Sequence, residues 1–363
     1  LLRLAQSFDA IHMLGNQVAA PIELPAETRH LDCYLANLTL SDRSYHCTAI
    51  GRERALDGIE MMALARGLPG AEAMIDDPAV STIISVNSPR RFDGEMAEGL
   101  ITMAEYGQAV AVTPFTLMGA MTPVTLAGAL SQQNAEALFG IALAQAVRPG
   151  TPCLYGAFTS NVDMKSGAPA FGTPENAKAN IASGQLARRY RLPYRATPSN
   201  ASNAADAQAA WETMMSLWGC VLGGANMLYH GAGWLEGGLC ASYEKLVLDV
   251  EMLRHVYGFL EPVPVDAESL AFDAIARVPT GGHFFGDAHT MERYRTAFYA
   301  PELSDWRNQE TWAADGARTA TERATATWQR VLAEFEPPEL DAARAEALSD
   351  YVARRKLTLA AAA

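Results

Sequence analysis

The feature of this sequence that most restricts its fold is a regular alternation of short apolar runs with amphipathic helical patterns. The runs are apolar or β-branched, end in polar, glycine or proline residues, and lie at residues 9–15, 43–49, 81–87, 108–114, 151–158, 192–198 and 225–231. Helical patterns separate them at residues 52–65, 94–106, 124–147, 175–190 and 205–219. Strands that alternate with helices in this way form parallel sheets with right-handed helical crossovers.

The spacing of these units favours an α/β fold of the TIM-type (β/α)8 barrel. Eight such units take about 250 residues, or ~30 residues each, which fits the spacing here. We count seven strands, so the eighth would come either from sequence ahead of residue 1 or from a strand that the pattern does not reveal. A doubly wound open sheet is the alternative, but the phosphate-binding patterns GxGxxG and GxxxxGK[ST] do not occur.

The pattern changes after residue 260. A strongly amphipathic helix at 241–260 is followed by the proline-broken segment EPVPVD at 261–266 and then by a charged, mostly helical tail. We therefore predict a barrel domain over residues 1–260 and a helical C-terminal extension over 261–363 that packs on it. The charged pattern of the tail is typical of solvated helix faces, and we expect it to contribute to a homo-oligomer.

Composition excludes several classes of function. The chain has 363 residues and a formal net charge of −13, which argues against a nucleic acid partner because phosphate binding needs clustered lysine and arginine. No apolar run approaches the ~18 residues of a membrane span. The five cysteines are scattered and form no CxxC pair, so neither a zinc ribbon nor a disulfide framework is indicated. A reducing cytoplasm is the expected compartment.

Aromatic side chains gather where the predicted strands end. Phe115, Tyr155, Phe158, Tyr229, His230 and Trp234 all lie at such positions, and the C-terminal ends of barrel strands share one mouth. Ring faces around a pocket suit a quaternary ammonium, whose diffuse charge the ring quadrupoles attract. Two acidic residues are candidates for contact with the cation: Glu236, in the glycine-rich loop after Trp234, and Asp163, in the long loop after the fifth strand. Core filling is the alternative role for the aromatic residues.

Other reactive residues offer weaker patterns. Lys165 follows a strand, as the lysine of a Schiff-base aldolase does, but it lies in a polar loop beyond the strand end. His283 and His289 in GGHFFGDAHT lack the spacing of metal ligands, so packing within the loop is favoured. We therefore assign no catalytic acid, base or nucleophile and no metal ligand.

Several long segments resemble the trimethylamine:corrinoid methyltransferase family. They are TPFTLMGAMTPVTLAGALSQQNAEALFGIALAQAVRPGTP at 113–152, YGAFTSNVDMKSGAPAFGTPE at 155–175, DAQAAWE at 206–212, GANMLYHGAGWLEGGLCASYEKLVLD at 224–249 and GGHFFGDAHT at 281–290. The resemblance implies a barrel, a methylated amine as substrate, and methyl transfer to the cobalt(I) of a cob(I)alamin-type corrinoid that a separate partner protein carries. It also implies that about a hundred further N-terminal residues, with one barrel strand, precede this sequence in the family.

One position departs from the trimethylamine-specific members, which carry pyrrolysine in the loop after the sixth strand. The corresponding position falls at or near Asn203 in PSNASNAADAQ. The sequence is therefore similar to the branch without pyrrolysine, whose characterised members demethylate quaternary amines such as glycine betaine. This resemblance adds Asn203 to the predicted substrate-binding residues. A betaine-binding or sensing protein without methyl transfer is the second hypothesis.

Overall fold

The fold is built on parallel strands that follow one another in chain order. The computed structural model describes residues 1–362. Its strands are β1 (Met13–Leu14), β2 (Ser44–Tyr45), β3 (Ser81–Val86), β4 (Ala109–Met118), β5 (Cys153–Gly156), β6 (Phe158–Val162), β7 (Pro169–Ala170), β8 (Tyr194–Ala196), β9 (Met227–Leu228), β10 (Trp234–Leu235) and β11 (Cys240–Ala241). Each of the seven apolar runs singled out in the sequence contains a strand, so these predictions are confirmed.

The strand order does not reverse along the sheet. β1 pairs with β2, a parallel bridge between His46 and Ser81 leads on to β3, and β3, β4, β5, β8 and β9 then pair in parallel with their neighbours. A doubly wound sheet would reverse direction at a switch point. Among residues 1–362 no ladder joins β9 back to β1, so the parallel α/β sheet is established and the complete eight-stranded barrel remains a prediction.

β5 and β6 form one strand that is interrupted at a single residue. Val110 of β4 pairs with Cys153 and Phe115 pairs with Phe158, so the register is the same on both sides of the interruption. At the interruption, the Ala157 N–H donates to the Arg195 carbonyl of β8 at 3.1 Å, just as the Tyr155 N–H donates to the Pro193 carbonyl at 2.9 Å. β7 then pairs antiparallel with β6 and closes the loop that follows it.

Helices cover the outer side of the sheet. They are α1 (Leu2–Ser7), α2 (Arg29–Leu40), α3 (Gly51–Ala65), a 3-10 turn (Ala71–Met74), α4 (Gly94–Glu105), α5 (Leu126–Val147), α6 (Pro174–Arg189), α7 (Ala207–Leu222), a second 3-10 turn (Glu236–Gly238) and α8 (Tyr243–Leu260). α6 begins where the sequence predicts it: Thr173 Oγ1 accepts the Asn176 N–H at 3.2 Å and Pro174 occupies the first helical position. No helix among the described residues is long and apolar enough to cross a membrane.

The C-terminal segment is mostly helical and packs on the outer helices. It contains α9 (Ala267–Leu270), α10 (Phe272–Arg277), α11 (Ala288–Arg293), α12 (Gln309–Ala314), α13 (Ala320–Ala333) and α14 (Ala342–Ala362). α13 packs on α8, and α14 packs on α2 and α3. Tyr351 and Arg355 of α14 both donate to Asp57 Oδ1 of α3 at 2.7 Å. The division into two domains at residue 260 and the homo-oligomer stay predictions.

At Gly184, the backbone of α6 closely approaches the residue that follows α7. A Cβ added there would lie 1.9 Å from the Gly223 carbonyl oxygen, which follows α7, whereas one added at Gly94 of α4 would meet nothing within 4 Å. We expect Gly184→Ala to lower the free energy of unfolding by about 1–3 kcal/mol through overpacking. Gly94→Ala is the matched control and should change it by less than about 1 kcal/mol. Denaturant unfolding measures both variants, and equal midpoints would contradict this close packing.

Candidate functional site

A cavity of about 1570 Å³ lies against the inner side of the parallel strands. Its lining includes Ser85 of β3, Thr113 and Phe115 of β4, Phe158 of β6 and Arg195 of β8. The loop that follows β9 completes the wall with Tyr229, His230 and Trp234. Side chains of successive residues in a strand point to opposite faces, and the ladder register therefore decides which of them reach this space.

Three phenylalanines form one side of an aromatic wall. The pairing of β4 with β6 places Phe115 opposite Phe158, with ring centroids 4.8 Å apart. Phe171, which follows β7 and is buried, stacks on Phe158 at 5.1 Å. These contacts lie in the range of favourable aromatic pairs, so the rings support one another.

The loop after β9 extends this wall. His230 stacks on Trp234 with centroids 3.5 Å apart and planes 17° apart, and its ring lies 5.9 Å from that of Phe158. Tyr229 meets His230 edge to face with centroids 4.2 Å apart, and the centroid of the His46 ring lies 4.7 Å from that of Tyr229. The rings of Phe158, His230 and Trp234 thus form a continuous row, and these three residues are called the aromatic band below.

Two hydrogen bonds from neighbouring elements hold the glycine-rich loop of residues 230–238 in place. Its backbone adopts positive φ at His230 (69°) and Gly233 (88°). The Gly233 N–H donates to Asp249 Oδ2 of α8 at 2.8 Å, and the Trp234 carbonyl accepts from Asn200 Nδ2 at 2.7 Å. Asp249 is itself paired with Lys245 in the same helix, and both side chains are almost fully buried. The loop is therefore tied to α8 on one side and to the loop after β8 on the other.

We expect Asp249→Ala to destabilise the protein strongly. It would leave the Lys245 ammonium buried without its partner and the Gly233 N–H without its acceptor, a loss of about 3–5 kcal/mol in the free energy of unfolding. The matched control is Glu105→Ala, which breaks the half-exposed Arg52–Glu105 pair and should cost no more than about 1 kcal/mol. Denaturant unfolding measures both, and similar losses would contradict this role of the buried pair.

The electrostatics of the cavity are unusual for so acidic a chain. No aspartate or glutamate is among the described residues that line it, and Arg195 is its one formally charged side chain at neutral pH. Burial, with a smaller effect from the Arg195 charge, holds the pKa of His230 well below its ordinary value. Burial likewise lowers the pKa of His46 to about 4. Both imidazoles are therefore neutral at pH 7 and present uncharged ring faces.

The lowered pKa of His46 predicts a specific acid sensitivity. An unfolded chain protonates histidine near pH 6.5, whereas the native state excludes that proton until about pH 4. The unfolded state thus binds more protons than the native state between these two pH values. The contribution of neutral His46 to the free energy of unfolding is therefore complete above pH 6.5 and is lost as the pH falls toward 4. Between pH 7 and pH 5, wild type should lose about 2 kcal/mol more unfolding free energy than His46→Gln. Denaturant unfolding at the two pH values measures the difference, and equal losses would contradict it.

The structure brings five of the nine predicted substrate-binding residues together at the cavity: Phe115, Phe158, Tyr229, His230 and Trp234. Tyr155 is buried on the helix side of its strand, where its hydroxyl donates to Asn134 Oδ1 of α5 at 3.0 Å. Asp163 and Asn203 are exposed outside the lining; the Asp163 carboxylate accepts from the Ser166 hydroxyl at 2.7 Å. Glu236 is also exposed, beside the Cys240 thiol. Substrate contact by these four remains an untested prediction.

The other reactive residues also lie apart from the cavity. Lys165 is exposed in the turn that Asp163 caps. The described residues contain no group of three or more histidine, cysteine, aspartate or glutamate side chains placed to hold a metal ion. Sequence reasoning missed Arg195, which is fully buried in β8. The signal for it is an arginine inside the short strand LPYRATP, next to Tyr194, since two adjacent strand residues cannot both face the helices.

Comparison with known proteins places the chain in a family. Residues 1–360 match the profile of trimethylamine methyltransferases (MTTB). The chain belongs to this family. Its members are enzymes, and the resemblance seen in the sequence is confirmed.

Named relatives support this assignment. The chain is 38% identical over 354 residues to a glycine betaine methyltransferase from Desulfitobacterium hafniense (strain Y51), which covers 97% of this chain and 73% of the relative. It is 32% identical over 307 residues to the trimethylamine methyltransferase MttB of another D. hafniense strain (DSM 10664 / DCB-2), covering 84% of this chain and 61% of the relative. It is 34% identical over 268 residues to MttB2 of Methanosarcina mazei, covering 73% of this chain and 53% of the relative.

Proposed function

We propose that this protein binds a quaternary or tertiary methylated amine, of the betaine type, at the aromatic band and transfers one methyl group to the cobalt(I) of a separate corrinoid protein. The observation that carries the proposal is the band itself: Phe158, His230 and Trp234 lie in contact at the wall of a cavity whose described lining contains no aspartate or glutamate. Aromatic faces bind the diffuse charge of a quaternary ammonium without a counter-ion. The relatives named for betaine and trimethylamine methyl transfer support the same reaction.

Methyl transfer from a quaternary amine needs no general acid or base from the protein. The N–CH3 bond breaks with its electron pair going to nitrogen, so a quaternary amine leaves as a neutral tertiary amine and needs no proton. The corrinoid supplies a strongly nucleophilic cobalt(I), whose electron pair forms the new bond to the methyl carbon. This chain's residues have to hold the N–CH3 bond in line and exclude water. Neutral His46 and His230 suit that task because they add no positive charge against the ammonium.

The position of the band suits docking by a partner. Phe115 lies in the C-terminal half of β4, and Phe158 begins β6, the second part of the interrupted strand β5–β6. The loop with His230 and Trp234 follows the end of β9. In a barrel these ends form one open mouth where active sites lie. We propose that the protein forms an eight-stranded barrel and that the corrinoid protein approaches this mouth. The chain itself binds no corrinoid in this proposal.

Reconstitution tests the function. The protein, glycine betaine, a family corrinoid protein and a cobalt reductant should together yield methylated cobalt in the visible spectrum and dimethylglycine in equal amounts. Trimethylamine should be a poor substrate, because its nitrogen needs an activation that the cavity does not provide. Betaine binding by calorimetry without any transfer would favour the alternative of a binding or sensing protein. Absence of binding across several betaines would contradict both.

Substitutions in the aromatic band should weaken ligand binding. Phe158→Ala and Trp234→Ala each remove one ring, and a cation–π contact contributes about 0.5–2 kcal/mol, which predicts a 2- to 30-fold higher Kd for glycine betaine. Phe298→Ala is the control, since Phe298 is 83% exposed and lies outside the cavity lining. Calorimetry measures all three, and unchanged affinity in both band variants would contradict binding at this wall.

A further inference from the structure

Arg195 is a buried cation that has no partner of opposite charge among the described residues. Its side chain is 1% exposed and lines the cavity. Nη1 donates to the Ala157 carbonyl at 3.4 Å and to the Thr197 hydroxyl, while Nε finds no hydrogen-bond partner in the part of the chain that the structure describes. No carboxylate among residues 1–362 pairs with it, and the centroid of the Tyr229 ring lies 5.0 Å from the guanidinium carbon.

Such an arrangement is costly in the absence of an anion. Removing a charge from water without pairing it costs several kcal/mol, and buried charges are therefore normally paired. The Tyr229 face and two neutral acceptors offset only part of that cost. Arginine's planar fork is the side chain best suited to bind a carboxylate through two hydrogen bonds. The cavity thus holds one group that favours an anion, beside a band that favours a cation.

We propose that Arg195 binds the carboxylate of a zwitterionic betaine and thereby selects betaines over methylated amines that lack a carboxylate. This inference rests on the proposed function, because it assigns the substrate class of the same site. Arg195 acts as a positioning residue: it holds the end of the substrate opposite to the methyl groups.

The register of the sheet places the two binding groups at suitable heights. Arg195 pairs with Gly156, two residues before Phe158 along the neighbouring strand, so its Cα lies about 7 Å below the level of the aromatic band. Its guanidinium donates to Ala157 and Thr197, one and two residues further along, and therefore points up toward the band. A carboxylate held there leaves its trimethylammonium group at the rings, with a methyl directed to the strand ends.

The absence of carboxylates from the described lining fits the same arrangement. A free cation such as tetramethylammonium would meet the positive charge of Arg195 with nothing between them. A betaine places its own carboxylate between the guanidinium and the ammonium, so both charges are compensated. The protein thus needs no acidic residue at the band, and Glu236 and Asp163 lie outside it.

Three ligands of nearly the same shape separate the contributions. Glycine betaine carries both charges, betaine amide replaces the carboxylate by a neutral carboxamide, and 3,3-dimethylbutanoate replaces the ammonium nitrogen by carbon. We expect wild type to bind glycine betaine about 10- to 100-fold more tightly than betaine amide, the range for a hydrogen bond between charged groups. Calorimetry measures binding without the corrinoid partner. The preference over 3,3-dimethylbutanoate reports the aromatic band independently.

Arg195→Gln should remove the first preference. Affinity for betaine amide should stay the same or rise, because the buried positive charge is gone, while affinity for glycine betaine falls to within about threefold of it. Arg195→Lys keeps the charge but loses the fork. If Arg195→Gln lacks the native near-ultraviolet circular dichroism, Arg195→Lys provides the test. Its preference for glycine betaine over betaine amide should be at least about threefold smaller than that of wild type.

The outcomes separate this inference from the proposed function. If wild type binds neither quaternary ligand, the proposed function fails. If wild type binds glycine betaine and its amide equally, the function stands and the carboxylate site is overturned. If a natively folded Arg195→Gln loses both ligands equally, Arg195 has only a structural role, which also overturns the inference.

Discussion

The parallel ladder between β4 and the interrupted strand β5–β6 is the interaction on which the rest of the site depends. Its constant register fixes which side of each strand every residue occupies. Val112 and Tyr155 face the helices and join the main apolar core, whereas Thr113 and Phe115 face the cavity. A shift by one residue would exchange these two sets. Core stability and the position of the aromatic band therefore depend on the same hydrogen bonds.

A second constraint comes from outside the sheet. The loop with His230 and Trp234 contains as regular structure only the two-residue strand β10 and a 3-10 turn. Its conformation depends on hydrogen bonds to Asp249 of α8 and to Asn200 in the loop after β8. Asp249 is buried in an ion pair with Lys245 of α8. This pair fixes the carboxylate that accepts the Gly233 N–H and so orients the backbone at the cavity wall. A site that only has to orient its ligand needs rigid walls more than reactive groups, and this chain supplies rigidity through buried polar contacts.

The sequence predicts the strands and most of the helices well, because apolar periodicity reflects burial and burial governs those elements. It predicts less well which side of a strand a residue faces. Tyr155 is expected at the cavity but faces α5. The sequence locates the end of a strand only to within one residue, and a shift of one residue moves a side chain to the other face of the sheet. Asp163, Asn203 and Glu236 lie in loops, whose conformations depend on contacts distant in sequence. Arg195 is not predicted as a binding residue, because the short run around it does not show that its guanidinium lies without a carboxylate partner.

Asp57 shows how late in synthesis this fold is completed. The buried carboxylate binds His30 nearby in sequence and also Tyr351 and Arg355 of α14. Burial alone would raise the pKa of Asp57, and these bonds together hold it below its ordinary value. Because 294 residues separate Asp57 from Tyr351, a ribosome working at about 5–20 residues per second needs ~15–60 s to supply the missing donors. Throughout that interval the Asp57 carboxylate of α3 has His30 of α2 but lacks its two donors from α14, and a chaperone that shields this helix pair would act on the nascent chain during the same time.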